Sequence, residues 1–159
     1  MKNQINNSVQ ILINKLANAT PSAQAQMFGR DEYATIKGNV DFYNFNGDSV
    51  VACLVQGLPE TATNIFGFHI HENGDCSGDF SSSGGHYGGD SHPEHNGDMP
   101  VLFSNNGNAF LVFCTDRFTI DEIIDRAVII HLMPDDYTSQ PAGNSGARIA
   151  CGIIQKVKL

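Results

Sequence analysis

The segment Gly67-Phe68-His69-Ile70-His71-Glu72 sets two imidazoles a strand step apart. Alternate side chains of an extended chain share a face, so His69 and His71 point one way while Phe68 and Ile70 point into a core. Two imidazoles so placed can reach one metal ion, although a surface strand that happens to carry two histidines reads the same way. The segments that follow add donors. Gly84-Gly85-His86-Tyr87 places a histidine after a glycine pair, where backbone can pack close to a site. His92-Pro93-Glu94-His95-Asn96-Gly97-Asp98 supplies two more imidazoles and a carboxylate, so His86, His92, His95 and Asp98 would fill a tetrahedral zinc shell. Val128-Ile129-Ile130-His131 then brings a histidine to the end of a buried-looking strand. Histidines ending two separate strands, with a ligand-rich loop between them, amount to two metal sites rather than one.

The elements that must hold these donors read as β-structure from Ala23 onward. Short alternating or β-branched stretches recur between Gly, Asn and Asp punctuation. The expected strands are Ala23–Phe28, Ala34–Phe45, Ser49–Gln56, Ile65–His71, Pro100–Phe103, Ala109–Thr115, Ala127–His131 and Arg148–Val157. Asn46-Gly47-Asp48 and Asn105-Asn106-Gly107-Asn108 are hairpin turns between neighbours. Eight strands at this spacing predict an all-β fold, an antiparallel sandwich or Greek-key barrel. Thr119-Ile120-Asp121-Glu122 is a capping box that starts one short helix, with Phe118 and Ile123 as its hydrophobic staple. Residues 72–99 and 132–147 are long loops that each follow a strand ending in histidine, and loops of that length usually carry function.

Composition narrows the class. The 159 residues suffice for one domain with a real core, and 41% apolar content argues against disorder. The formal net charge is -8, with no lysine between Lys37 and Lys156, so the basic patch that nucleic-acid binding needs is missing. No apolar run is long enough to span a membrane. Four cysteines, at 53, 76, 114 and 151, are too sparse for a disulfide scaffold. Ile5, Val9, Leu12 and Leu16 share one helical face, so residues 1–22 are expected to form a short amphipathic helix or loose arm, and residues 23–159 the domain. Asn14 and Lys15 interrupt the apolar stretch that an export signal would use, which points to the cytoplasm; a degenerate signal is the alternative.

In order along the chain, GFHIHENGDC, GGHY, HNGD, VIIH and GNSGARIACG resemble the copper,zinc superoxide dismutases over roughly residues 34–155. That resemblance implies an eight-stranded Greek-key β-barrel carrying copper and zinc side by side, with superoxide as substrate. His69, His71, His86 and His131 would bind copper. His86 would bridge, binding zinc together with His92, His95 and Asp98. Arg148 matches the arginine that holds superoxide near copper, and a guanidinium is always charged; His86 would also serve in proton transfer. Cys76 and Cys151 match the family's disulfide. Asp135 resembles the aspartate linking copper and zinc histidines, with Asp136 as its competitor. A homodimer is a further expectation of the resemblance.

Two departures bear on that reading. His92 stands only three residues before His95, in a stretch shorter than the familiar animal enzymes have, and Glu94 is the substitute ligand if His92 points away. The loop 132–147 contains no Lys or Glu to guide an anion, and within residues 38–155 the only bases are Arg117, Arg126 and Arg148. Attraction of substrate is therefore expected to be local, from copper and Arg148. Cys53 reads as core packing and Cys114 has no assigned role. The competing functions are a non-catalytic copper or zinc carrier and a relative that keeps only zinc; neither has an obvious use for Arg148 beside the copper ligands.

Overall fold

The computed structural model describes Asn14, residues 18–45 and residues 47–158. The expected helix or arm over residues 1–22 lies mostly outside these, as does Asn46 of the first hairpin turn. Strand β1 (Ala23–Gly29) buries Ala23, Ala25 and Met27 and turns Gln24, Gln26 and Phe28 outward, the alternation of a half-buried strand. It pairs with β2 (Lys37–Phe45), which returns through a tight turn to β3 (Asp48–Gln56) with Phe45 opposite Asp48. Gly47 takes a φ of +99° at that turn, which its missing Cβ allows. β2 starts three residues later than the expected Ala34, because Asp31–Tyr33 form a 3-10 turn closed by a bond from Ala34 N to Asp31 O.

The expected strand Ile65–His71 is two: β4 (Ile65–Phe66) and β5 (Phe68–His71). Gly67 separates them. Its amide donates to Met133 O and its carbonyl accepts from His131 N, and a Cβ there would lie 2.8 Å from Ser145 Oγ. The chain thus changes sheets at the point where loop 132–147 crosses it. β4 pairs with β6 (Leu102–Phe103), which begins two residues after the expected Pro100; proline has no N–H for a ladder, and Val101 N is taken by the Tyr137 hydroxyl. β7 (Ala109–Thr115), β8 (Ala127–His131) and β9 (Arg148–Lys156) follow. The capping box is present: Thr119 N donates to Glu122 Oε2 at 2.7 Å and starts the single-turn helix α1 (Ile120–Ile123).

Seven strands form one antiparallel sheet in the order β5-β8-β9-β1-β2-β3-β7, with β4 and β6 as a two-stranded ribbon beside it. The sheet curls around a core that includes Phe42, Phe66, Phe68, Ile70, Phe118 and Ile130, each 2% exposed or less. This is the all-β barrel that the spacing of strands predicts. β5 and β8 pair at one end of the order, with Phe68 opposite Ile130 and His71 opposite Ala127. Four buried apolar side chains of β8 therefore anchor the strand from which His131 emerges.

Candidate metal centre

Loop 84–98 is laced along the free edge of β5. Tyr87 N donates to Ile70 O at 2.8 Å, Ile70 N to Gly97 O at 2.9 Å and Glu72 N to Gly85 O at 3.0 Å. Gly97 is required here, since a Cβ on it would fall on Ile70 O. The lacing sets His86, His92, His95 and Asp98 against His69 and His71. Loop 132–147 closes the other side.

The ring nitrogens are then defined by their partners. His71 Nδ1 lies 2.9 Å from Gly84 O and His131 Nδ1 3.2 Å from Gly146 O. A carbonyl only accepts, so both Nδ1 atoms carry hydrogen and both Nε2 atoms are bare lone pairs. Those lone pairs face each other at 3.1 Å. His69 Nε2 donates to Asp135 Oδ2 at 2.6 Å, leaving His69 Nδ1 buried without a partner, and His86 Nε2 is equally buried and unpartnered. The four atoms lie within 4.8 Å of one another. Converging buried lone pairs repel unless a cation sits among them, so this group fits a metal, and an all-imidazole set suits copper in either oxidation state.

A second group shares His86. Asp98 Oδ1 lies 2.7 Å from His86 Nδ1, and Asp98 Oδ2 lies 3.1 Å from both His92 Nδ1 and His95 Nδ1. His92 Nε2 donates to Asp135 Oδ1 at 2.8 Å, so its Nδ1 is another lone pair, here aimed at a carboxylate. Two acceptors in contact again ask for a cation between them. Three nitrogens and one oxygen within 4.8 Å match the zinc donor set. Asp135 holds one histidine of each group and so fixes both tautomers.

Burial keeps His69, His71 and His131 neutral. Desolvation, followed by the neighbouring His86 and His131, holds His69 well below the usual histidine range. Desolvation with His131 does the same to His71, and burial brings His131 down to about 4. Burial pushes the Asp98 carboxyl up, but the His86 hydrogen bond and the electrostatic attraction of the surrounding imidazoles, His86 first, outweigh it and leave the group below its ordinary value. Neutral imidazoles and an ionised carboxylate are the forms that bind metal.

Arg148 opens β9 opposite His131. Its Nη1 donates to Phe80 O and Ser83 Oγ, each at 2.8 Å, and its Nη2 to Gly84 O at 2.8 Å. Burial lowers its pKa from the ordinary value. It lines a cleft of about 350 Å³ together with Glu72, His71, His86 and His131. The disulfide Cys76–Cys151 ties the segment that supplies these carbonyls to β9.

All the donors expected from spacing thus come together. Glu94, the substitute for His92, is exposed and outside both groups. Asp136 instead accepts from the amides of Thr138 and Ser139 and shapes a turn. Cys53 is a buried free thiol, pushed up to about 12 by desolvation, as a core residue should be. Gly143 escaped the sequence reading. Its φ is +62°, and a Cβ would fall on Asp135 Oδ1 and lie 2.8 Å from His92 Nε2. Its place in GNSGARIACG was the available signal. The Phe80 and Gly84 carbonyls around Arg148 left none, because backbone oxygens carry no residue type.

The sequence model described as "Copper/zinc superoxide dismutase (SODC)" matches residues 36–154. The chain belongs to the copper/zinc superoxide dismutase family. Similar proteins include "Superoxide dismutase [Cu-Zn] 2" of Aquifex aeolicus, 35% identical over 136 residues, covering 74% of this chain and 78% of the relative. "Superoxide dismutase [Cu-Zn]" of Photobacterium leiognathi is 36% identical over 118 residues, 62% of this chain and 68% of the relative. "Extracellular superoxide dismutase [Cu-Zn]" of Drosophila melanogaster is 38% identical over 139 residues, 75% of each chain. Among the described residues, no helix is long and apolar enough to cross a membrane.

Proposed function

We propose that His69, His71, His86 and His131 hold copper and that His86, His92, His95 and Asp98 hold zinc in a superoxide dismutase that uses Arg148 as its anion anchor. The activity and both metals follow from family membership. The observation that supports the residue assignment is His86: among the described residues it alone belongs to both four-donor groups. Two superoxide anions and two protons yield one dioxygen and one hydrogen peroxide. Bound copper supplies the one-electron couple that oxidises the first anion and reduces the second, while zinc fixes the shared imidazole.

The chain's own groups do the rest. Nη2 of Arg148 retains an N–H beyond the one given to Gly84 O, and this draws an anion into the cleft beside His71, His86 and His131. His86 Nε2, buried and free of any protein partner, can hold a proton and return it to the reduced product. Asp135 keeps His69 and His92 from rotating away. A carrier or a zinc-only relative is disfavoured by the complete first group and the positioned arginine. Metal content and dismutation of protein loaded with both metals decide between them. Arg148→Ala should cut activity at least tenfold with both metals retained; full activity in that variant removes the assigned role.

We further propose a homodimer through the outward face of β3 and β7. Leu54 and Phe110 are direct cross-strand partners there, 62% and 72% exposed, and Phe103 of β6, which packs against β7, is 69% exposed. Concentrated exposed apolar area favours a self-complementary contact. Sedimentation should show a dimer that Phe110→Lys splits; a monomeric parent protein ends the proposal.

A further inference from the structure

The segment 92–98 has no helix or strand of its own, and β5 holds only its end, through Gly97 and Asp98. Its internal bonds are turns: Glu94 N to Ser91 O at 2.9 Å and Asp98 N to His95 O at 3.1 Å. Gly88 and Gly89, both at positive φ, precede it and give the chain freedom rather than direction. The short interval between His92 and His95 leaves little chain to shape itself, yet both Nδ1 atoms arrive 3.1 Å from the same oxygen of Asp98.

Two side chains from elsewhere hold the backbone. His92 N donates to Gln140 Oε1 at 3.0 Å, and Gln140 Nε2 donates to His92 O at 2.6 Å. The primary amide of Gln140 thereby occupies both main-chain groups of His92, as a neighbouring strand would. Arg117, between β7 and α1, donates through Nη1 to Pro93 O at 2.8 Å and to His95 O at 3.0 Å. Three carbonyls, those of residues 92, 93 and 95, are thus fixed from outside the segment. With the Asp135 bond to its Nε2, His92 is held at backbone N, backbone O and ring by the single loop 132–147.

We infer that Gln140 and Arg117 are positioning residues of the zinc site, clasping the segment so that His92 and His95 converge on Asp98. This rests on the assignment of His86, His92, His95 and Asp98 to zinc. Neither residue ligates; each acts through the backbone of a ligand or its neighbour. Zinc affinity is then built partly by side chains that lie 22 or more residues away in sequence.

The test measures zinc affinity of the full-length chain by competition with a chromophoric chelator, and the visible bands of cobalt(II) bound in place of zinc. Gln140→Ala and Arg117→Ala should each weaken zinc by about 10- to 100-fold and alter the cobalt bands, the usual cost of losing a group that orients a ligand. Arg117→Lys should recover part of the loss, because an ammonium can donate to both carbonyls. Gln140→Glu should not, because it faces His92 O with a second oxygen. Thermal unfolding of the zinc-free variants should stay near the parent value; an equal drop with and without zinc would mark a merely structural role and overturn the inference. Parent-like affinity and cobalt bands in both alanine variants, with zinc binding abolished by Asp98→Asn, would overturn it as well. Undiminished zinc binding in Asp98→Asn would instead bring down the zinc assignment and the clasp with it.

Discussion

Asp98 meets three imidazoles at the centre and Asp135 two, and this makes single-atom changes costly. Asp135 accepts from His69 Nε2 and from His92 Nε2 with different oxygens. In Asp135→Asn one of those oxygens becomes an amide NH2, which cannot accept, and the bond to the remaining oxygen weakens as well, because a neutral amide oxygen accepts less strongly than a carboxylate. Copper and zinc retention should both fall, by about 10- to 100-fold in affinity, as measured by chelator competition for each metal. Gly143→Ala should produce the same double loss from the far side of that bond, since its Cβ would displace the Asp135 carboxylate. Loss of only one metal in either variant would show that the carboxylate does not link the two groups. The histidines themselves were legible because imidazole is a ligand wherever it clusters. Gln140 and Arg117 were not: an amide and a guanidinium have many ordinary uses, and their partners are main-chain atoms 22 to 48 residues away.

Among the elements, the strands announced themselves through alternation, and the capping box through its spacing. The break at Gly67 did not, because Phe66 and Phe68 are both buried and the apolar run continues through it. Only the crossing of loop 132–147 over Gly67 explains the change of sheet. The segment from Cys76 to Gly84 shows how a loop with only the short 3-10 turn Ser81–Ser83 gains a fixed place. The disulfide joins it to β9, and its oxygens at Phe80, Ser83 and Gly84 hold Arg148 of the same strand. Closing a loop across a separation of 75 residues is worth about 4 kcal/mol in a chain-entropy account. Cys76→Ser with Cys151→Ser should therefore shift the denaturant midpoint strongly and lower activity more than metal content. Unchanged activity per copper would show that Arg148 keeps its place without the bond.

For the molecule as a whole, charge and protonation set the working range. The chain carries -8 and repels superoxide at a distance. Of the three bases between residues 38 and 155, Arg117 bonds Pro93 O and His95 O, and Arg126 bonds Glu72 O and lies over the Tyr87 ring. Only Arg148 lines the cleft, and Glu72 stands in its wall. Dismutation should accordingly vary little with ionic strength in stopped-flow or pulse measurements; a steep fall on adding salt would mean long-range attraction that this charge pattern does not supply. Stability of the metal-free chain should depend on pH through the buried imidazoles. His131 refuses a proton until about pH 4, whereas the unfolded chain accepts one near 6.5, so the unfolded state binds more protons between those values. Stability is thus unaffected by this group above pH 6.5 and falls as pH drops from 6.5 toward 4. Thermal midpoints at pH 7.5 and pH 5 would show it, and a higher midpoint at pH 5 would contradict the assignment.

The lacing of residues 84–98 onto β5 has a consequence for solubility. β5 ends the order of the seven-stranded sheet, and the outer amide and carbonyl of Ile70 are paired with Gly97 and Tyr87 rather than left open. An open row of such groups is a template for another chain to add a strand. The loop that gathers the metals is therefore also the guard on a vulnerable rim, and anything that lets it peel away exposes that rim to self-association.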